Sequence, residues 1–90
     1  MRTEPSDEGW VFQVTVSQGR AQTAHRVTVT REAYSRLSGG ASPPEELVRK
    51  SFQFLLEREP KESILREFDL TLISRYFPDY ERQIRKRIQG

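Results

Sequence analysis

The chain has 90 residues, 34% of them hydrophobic and 31% charged, with one histidine and no cysteine. That length allows one domain with a modest core and excludes the large enzyme folds, and without cysteine there is no disulfide framework, thiolate zinc site or cysteine nucleophile. Fifteen basic and 13 acidic residues leave a net charge of +2, too little for a general polyanion binder.

Residues 1–8 carry no apolar side chain beyond Met1 and include Pro5, so they are expected to be a flexible arm. From Gly9 the pattern alternates. Trp10, Phe12, Val14 and Val16 fall on one face and Gln13, Thr15 and Ser17 on the other, the signature of a half-buried strand. After Ser17-Gln18-Gly19-Arg20, His25, Val27 and Val29 alternate with Arg26, Thr28 and Thr30, and the two runs predict an antiparallel β-hairpin over 9–30.

Thr30 is a natural N-cap for a short helix from Arg31 to Leu37, which Gly39-Gly40 ends. Ser42-Pro43-Pro44-Glu45 predicts the next helix, 43–58, with Ser42 as N-cap and Glu45 closing a capping box. Its Leu47, Val48, Phe52, Leu55 and Leu56 form one broad stripe. Phe54 lies off that stripe, so the helix is expected to need two neighbours. Pro60 interrupts the run. Ile64, Leu65 and Phe68 then mark a short helix, and Asp69 caps another containing Leu70, Ile73 and Phe77. The last helix starts at Pro78 and buries Tyr80, Ile84 and Ile88, with acids in its first turn and Arg85, Lys86 and Arg87 in its last, as the helix dipole favours.

Charge is laid out in blocks. Residues 1–9 and 57–69 are net acidic, while 20–36 and 75–90 are net basic, and twelve of the fifteen cations are arginine, the residue better suited to bidentate pairing. Solvated surface and intramolecular pairing are the ordinary fate of such blocks. Stretches such as Phe52–Leu56 are far too short to cross a bilayer, and the polar lead is unlike a signal peptide, so a cytoplasmic location with no membrane contact is expected.

Catalytic chemistry finds little purchase. His25 stands alone on an apolar strand face, and no nucleophile, base and orienting group share a recognisable spacing, so no enzyme activity, metal or cofactor is expected. The densest interface-like composition is Tyr76-Phe77-Pro78-Asp79-Tyr80 with Arg75, Arg82 and Arg85 around it, because aromatic and arginine side chains dominate binding hot spots. Arg75, Tyr76, Phe77, Tyr80, Arg82 and Arg85 are therefore the candidate partner-binding residues.

His25 to Thr30, followed by Glu32 to Leu37, Ser42, and Glu46-Leu47-Val48-Arg49-Lys50-Ser51-Phe52 with Leu55-Leu56, resembles the ribbon-helix-helix proteins common among bacterial antitoxins and repressors. The likeness covers residues 25–58. It implies a homodimer whose paired strands enter the DNA major groove, with Arg26, Thr28 and Thr30 reading bases and the second helix clamping phosphate. It also implies a partner-binding role for residues 60–90, which lie outside such a core. Pro43, Pro44, Glu45 and Glu46 depart from a phosphate clamp, since they remove donors and add negative charge.

The expected fold is a single small α+β domain over 9–90: a hairpin at 9–30, helices over 31–58 and a helical segment at 60–90. The expected function is a non-catalytic interaction module, an accessory, adaptor or antitoxin-like regulator that binds a protein partner. The alternative is a dimeric DNA-binding regulator.

Overall fold

The alternating segments form the hairpin. In the computed structural model, which describes residues 1–89, β2 (Gly9–Gln18) pairs antiparallel with β3 (Ala21–Thr30), and the Gln18–Ala21 pair leaves Gly19-Arg20 as a two-residue loop. Gly19 has φ +61° and no non-glycine among the described residues has a positive φ, so only the first loop position is left-handed, as in the type II′ turn whose twist suits a hairpin. Phe12 sits opposite Val27, and Trp10 opposite Val29, on the buried face.

The sheet is larger than the sequence pattern predicts. Residues 1–8 contribute a strand in place of a flexible arm: β1 (Arg2–Pro5) pairs antiparallel with β2, and Ser6 and Gly9 exchange backbone hydrogen bonds of 2.9 and 3.3 Å around an Asp7-Glu8 turn. All four β1 residues are exposed, so backbone pairing rather than apolar burial holds the strand. A Cβ on Gly9 would lie 2.1 Å from the Val29 carbonyl oxygen, so only glycine permits this approach. β4 (Glu67–Asp69) joins the other side of β3 in parallel, giving a mixed sheet of order β1-β2-β3-β4. The helix expected around Ile64, Leu65 and Phe68 is therefore extended chain. Arg26 donates its N–H to the Arg66 carbonyl at 2.7 Å, and Phe68 is drawn beside Val27.

Four helices complete the mixed α and β fold: α1 (Arg31–Ser38), α2 (Pro44–Leu56), α3 (Ile73–Tyr76) and α4 (Tyr80–Gln89). Thr30 caps α1 as expected, its hydroxyl accepting the Ala33 N–H at 3.0 Å, and Gly39 ends it at φ +63°. The start of α2 differs. Pro43 is the N-cap, without a side-chain bond, and the Ser42 hydroxyl is buried with no partner. A residue before proline is pushed out of the helical region, so Pro44 holds Pro43 extended at ψ 155° and moves the helix start past Ser42. Asp69 does act as a cap, accepting the Thr71 N–H at 2.9 Å, and opens the 3₁₀ turn Leu70–Leu72 that runs into α3. The last helix starts at Tyr80, two residues later than expected, after a Pro78-Asp79 turn closed by a bond from the Tyr80 N–H to the Phe77 carbonyl.

α2 is the centre of the packing. Phe52 meets His25 and Phe68 on the sheet side, with ring centroids 5.4 and 6.2 Å away, while Phe54 meets Phe77 and Tyr80 on the other side at 5.9 and 5.3 Å. The chain beyond Pro60 is therefore integral to the core through Ile64, Phe68, Leu70, Ile73, Tyr80 and Ile84.

Two substitutions test these local arguments. Gly9→Ala should lower stability by about 2–3 kcal/mol through the clash with Val29, more than Gly19→Ala, where only the left-handed backbone is strained. Ser42→Ala should leave the denaturation midpoint unchanged or slightly raised, because the hydroxyl it removes has no partner. A loss of about 1 kcal/mol in the second variant would restore the capping box.

Candidate functional site

After α2 ends at Leu56, the chain reverses through Pro60 and a 3₁₀ turn, Lys61–Ser63, runs extended through 64–66 into β4, and returns as α3. The Lys61 stem is buried while its ammonium reaches Glu62 at 2.7 Å, and that hydrogen bond holds the Glu62 carboxyl below the ordinary range. These short elements do not close over the end of α2. They leave an open cavity of about 390 Å³. Leu55, Ile64, Phe68 and Ile73 are its buried residues, Leu72 and Phe77 are half-buried, and Leu65 and Tyr76 stand exposed. Glu59, Ser63 and the Tyr76 hydroxyl supply the polar groups of its lining.

Both walls are fixed by polar contacts. His25 Nδ1 lies 2.8 Å from the Leu65 carbonyl, which can only accept, so this nitrogen carries the proton; Nε2 lies 2.8 Å from the Thr23 hydroxyl. The buried histidine thus ties the segment bearing Leu65 to β3. On the other wall, the Asp69 carboxylate accepts from both the N–H and the hydroxyl of Thr71, and the Ser74 hydroxyl donates to the Thr71 carbonyl at 2.8 Å. Those bonds set the angle at which α3 leaves the sheet.

The structure divides the six residues singled out from the sequence. Tyr76 and Phe77 line the groove, and Arg75 is exposed beside them. Tyr80 is no surface residue: its side chain is wholly buried, with its hydroxyl 2.7 Å from Ser51 Oγ. Because the Ser51 hydroxyl donates to the Leu47 carbonyl, the Tyr80 hydroxyl is the donor in this pair. Arg85 reaches across to the Arg36 carbonyl at 3.3 Å and pairs with Glu81, and Arg82 is exposed on α4; neither lines the groove. The helical stripe Tyr80, Ile84, Ile88 already marked Tyr80 as core, and its nearness in sequence to Tyr76 obscured that signal. Ile64, Leu65 and Phe68 were hidden as groove residues because their spacing also fits a helix.

The candidate DNA-reading residues share one face of β3 but differ in exposure. Arg26 is exposed on the open face of the sheet, in a row with Arg2, Gln13 and Glu67, while Thr28 is half-buried and the Thr30 hydroxyl is engaged as the α1 cap. β3 is paired on both edges, so a strand from a second chain would have to displace β2 or β4 to pair with it. Among the described residues, no group of three His, Asp or Glu side chains could hold a metal ion, and no helix is long and apolar enough to cross a membrane. The groove is thus chemically suited to holding apolar side chains beside one carboxylate.

Burial is what pushes the Tyr80 phenol above its ordinary range, with the Glu81 charge adding to the effect and the Ser51 hydrogen bond opposing it. The unfolded chain releases this proton above about pH 10 while the folded chain keeps it, so Tyr80 contributes stability below that pH and withdraws it above. Tyr80→Phe should cost about 1 kcal/mol at neutral pH. The same variant should flatten the alkaline fall in stability followed by chemical denaturation, and an unaltered alkaline limb would place that titration elsewhere.

Comparison of the chain with protein-family models, with curated proteins and with solved structures gave no match.

Proposed function

We propose that the protein is a non-catalytic interaction module, an accessory or adaptor that docks a protein partner through the groove at the end of α2. The observation that carries this reading is the position of the exposed apolar side chains. Only Met1, Leu65 and Tyr76 are large, hydrophobic and exposed among the described residues, at 52%, 46% and 65%, and two of the three stand at one apolar groove. Single exposed apolar residues are common on any surface, whereas exposed residues beside a concave apolar floor mark an interaction site. A regulator of antitoxin type, which acts by occluding its partner, would use the same surface.

Catalysis has weaker support. His25 is the sole histidine, and it is buried with both ring nitrogens engaged in fixing the groove wall. Glu59 is the one carboxylate in the groove, and although the Ser63 hydroxyl shares the lining, no histidine or lysine stands there to activate it.

The test compares Leu65→Ser combined with Tyr76→Ser against Arg82→Ala, using each purified chain to retain proteins from an extract of its own host. The paired serine variant should keep its unfolding free energy to within about 1 kcal/mol and lose the proteins that wild type retains, while Arg82→Ala keeps them. Equal retention by all three chains moves the working surface away from the groove.

A further inference from the structure

Building on the reading of the groove as a docking surface, we infer that its occupant is a second copy of this chain, bound about a two-fold axis so that each copy places Tyr76 in the other's groove and Arg75 against the other's Glu59. The first support is that one patch carries both halves of the contact. Tyr76 is 65% exposed and belongs to the same short helix, α3, whose Ile73 lines the cavity. A two-fold interface brings a patch onto itself, so a projecting side chain beside a receptive hollow is the arrangement such symmetry requires.

The second support is electrostatic. Glu59 is half-buried in the groove, and no ion pair forms to it among the described residues, although its neighbours have them: Glu57 with Arg87 and Glu62 with Lys61. Arg75 is likewise exposed without an ion pair among those residues. The groove's one carboxylate and the exposed cation are complementary, and the symmetry forms the contact twice. An aromatic anchor with an adjacent arginine is also the composition that dominates binding energy at interfaces.

The size of the hollow supports a side-chain anchor over a docked helix. At about 390 Å³ it lies near the lower end of the roughly 300–1,000 Å³ typical of ligand sites. One ring and its neighbours fill such a space. The association is accordingly reversible and dependent on concentration.

Sedimentation equilibrium of the full chain over a concentration series, at low and high salt, tests the inference. Wild type should pass from monomer to dimer, and Arg75→Glu alone or Glu59→Arg alone should each weaken association by about tenfold or more by opposing like charges at two symmetric contacts. Combining the two substitutions should restore association, because the pair re-forms with its signs exchanged. Tyr76→Ser should dissociate the dimer while circular dichroism melts show an intact fold. A wild-type chain that stays monomeric, or a dimer indifferent to Tyr76→Ser and to the charge exchange, overturns the inference. If the chain is monomeric and the paired serine variant still loses retained host proteins, the groove serves a different protein and only the self-docking is wrong. If neither association nor retention responds to the groove substitutions, both readings fall.

Discussion

Phe52 and Phe54 are both buried, and because they are two residues apart on one helix they cannot share a partner. An α-helix turns about 100° per residue, so these rings project about 200° apart. One must be covered by the sheet and the other by something beyond α2. Fully burying a phenylalanine contributes about 1.5–3 kcal/mol, a large share of what a domain of this size has in reserve. The sequence therefore requires three layers: the sheet against Phe52, α2 in the middle, and α3 with α4 against Phe54 through Phe77 and Tyr80. The polar bonds in this region follow from that requirement. The Ser51 hydroxyl, on the same helix, accepts from Tyr80 and leaves no unpaired oxygen in the inner seam.

A three-layer arrangement obliges the chain to cross between layers, and the crossing creates the groove. After Leu56 the backbone returns to the sheet to lay down β4 and then crosses back to begin α3, using elements of three or four residues. Elements so short present few side chains to each neighbour. Leu55, Phe68 and Ile73 come from three different elements and converge on a space that none of them fills. His25 keeps this space from collapsing or drifting, since its bond to the Leu65 carbonyl links residues 40 apart in sequence. The one histidine thus acts on the candidate site by positioning its wall, from the opposite side of that wall.

How much of this was legible in the sequence depended on what holds each element in place. Phe12, Val14 and Val16 announce their strand because side-chain burial and backbone pairing agree on a period of two, and Thr30 with Gly39 brackets α1 because both caps act locally. β1 gives no such sign. Arg2, Thr3, Glu4 and Pro5 bury nothing, and their order comes from a neighbouring strand's free edge, a property of the fold and not of the segment. Ile64 and Phe68 are four apart, which suits a helix face, but both are buried from extended chain, and only the vacant edge of β3 decides between the two. The start of α2 was legible in principle, because the restriction that Pro44 places on Pro43 outweighs the attraction of a Ser-x-x-Glu pattern. In the candidate site, composition picked out Tyr76 and Phe77, which line the groove, and could not separate them from Tyr80, whose place depends on the third layer.

The same layering explains why several arginines of this basic protein are drawn into the seams between helices. Arg58 lies with its guanidinium 3.7 Å from the centre of the Phe54 ring while reaching Asp79 at 2.9 Å, and Arg87 grips the Glu57 carboxylate at 2.6 and 2.8 Å on the same side of the helix pair. The Arg87 hydrogen bonds hold the Glu57 carboxyl below its ordinary range and raise the guanidinium's own, so each favours the charged form of the other. Pairs this exposed add little stability singly. Stacked on a buried ring, they instead cover the edge of an apolar layer with charge, for which the planar arginine is better shaped than lysine. Arg36 and Arg85 are spent in the same way around Glu81. Arg85 and Arg87 of α4 are thereby directed into the joints between helices, while the groove remains largely apolar with a single carboxylate. On the reading proposed for the groove, selectivity would rest on shape and on one point of charge, which favours a protein segment carrying an aromatic and a cation over any extended polyanion.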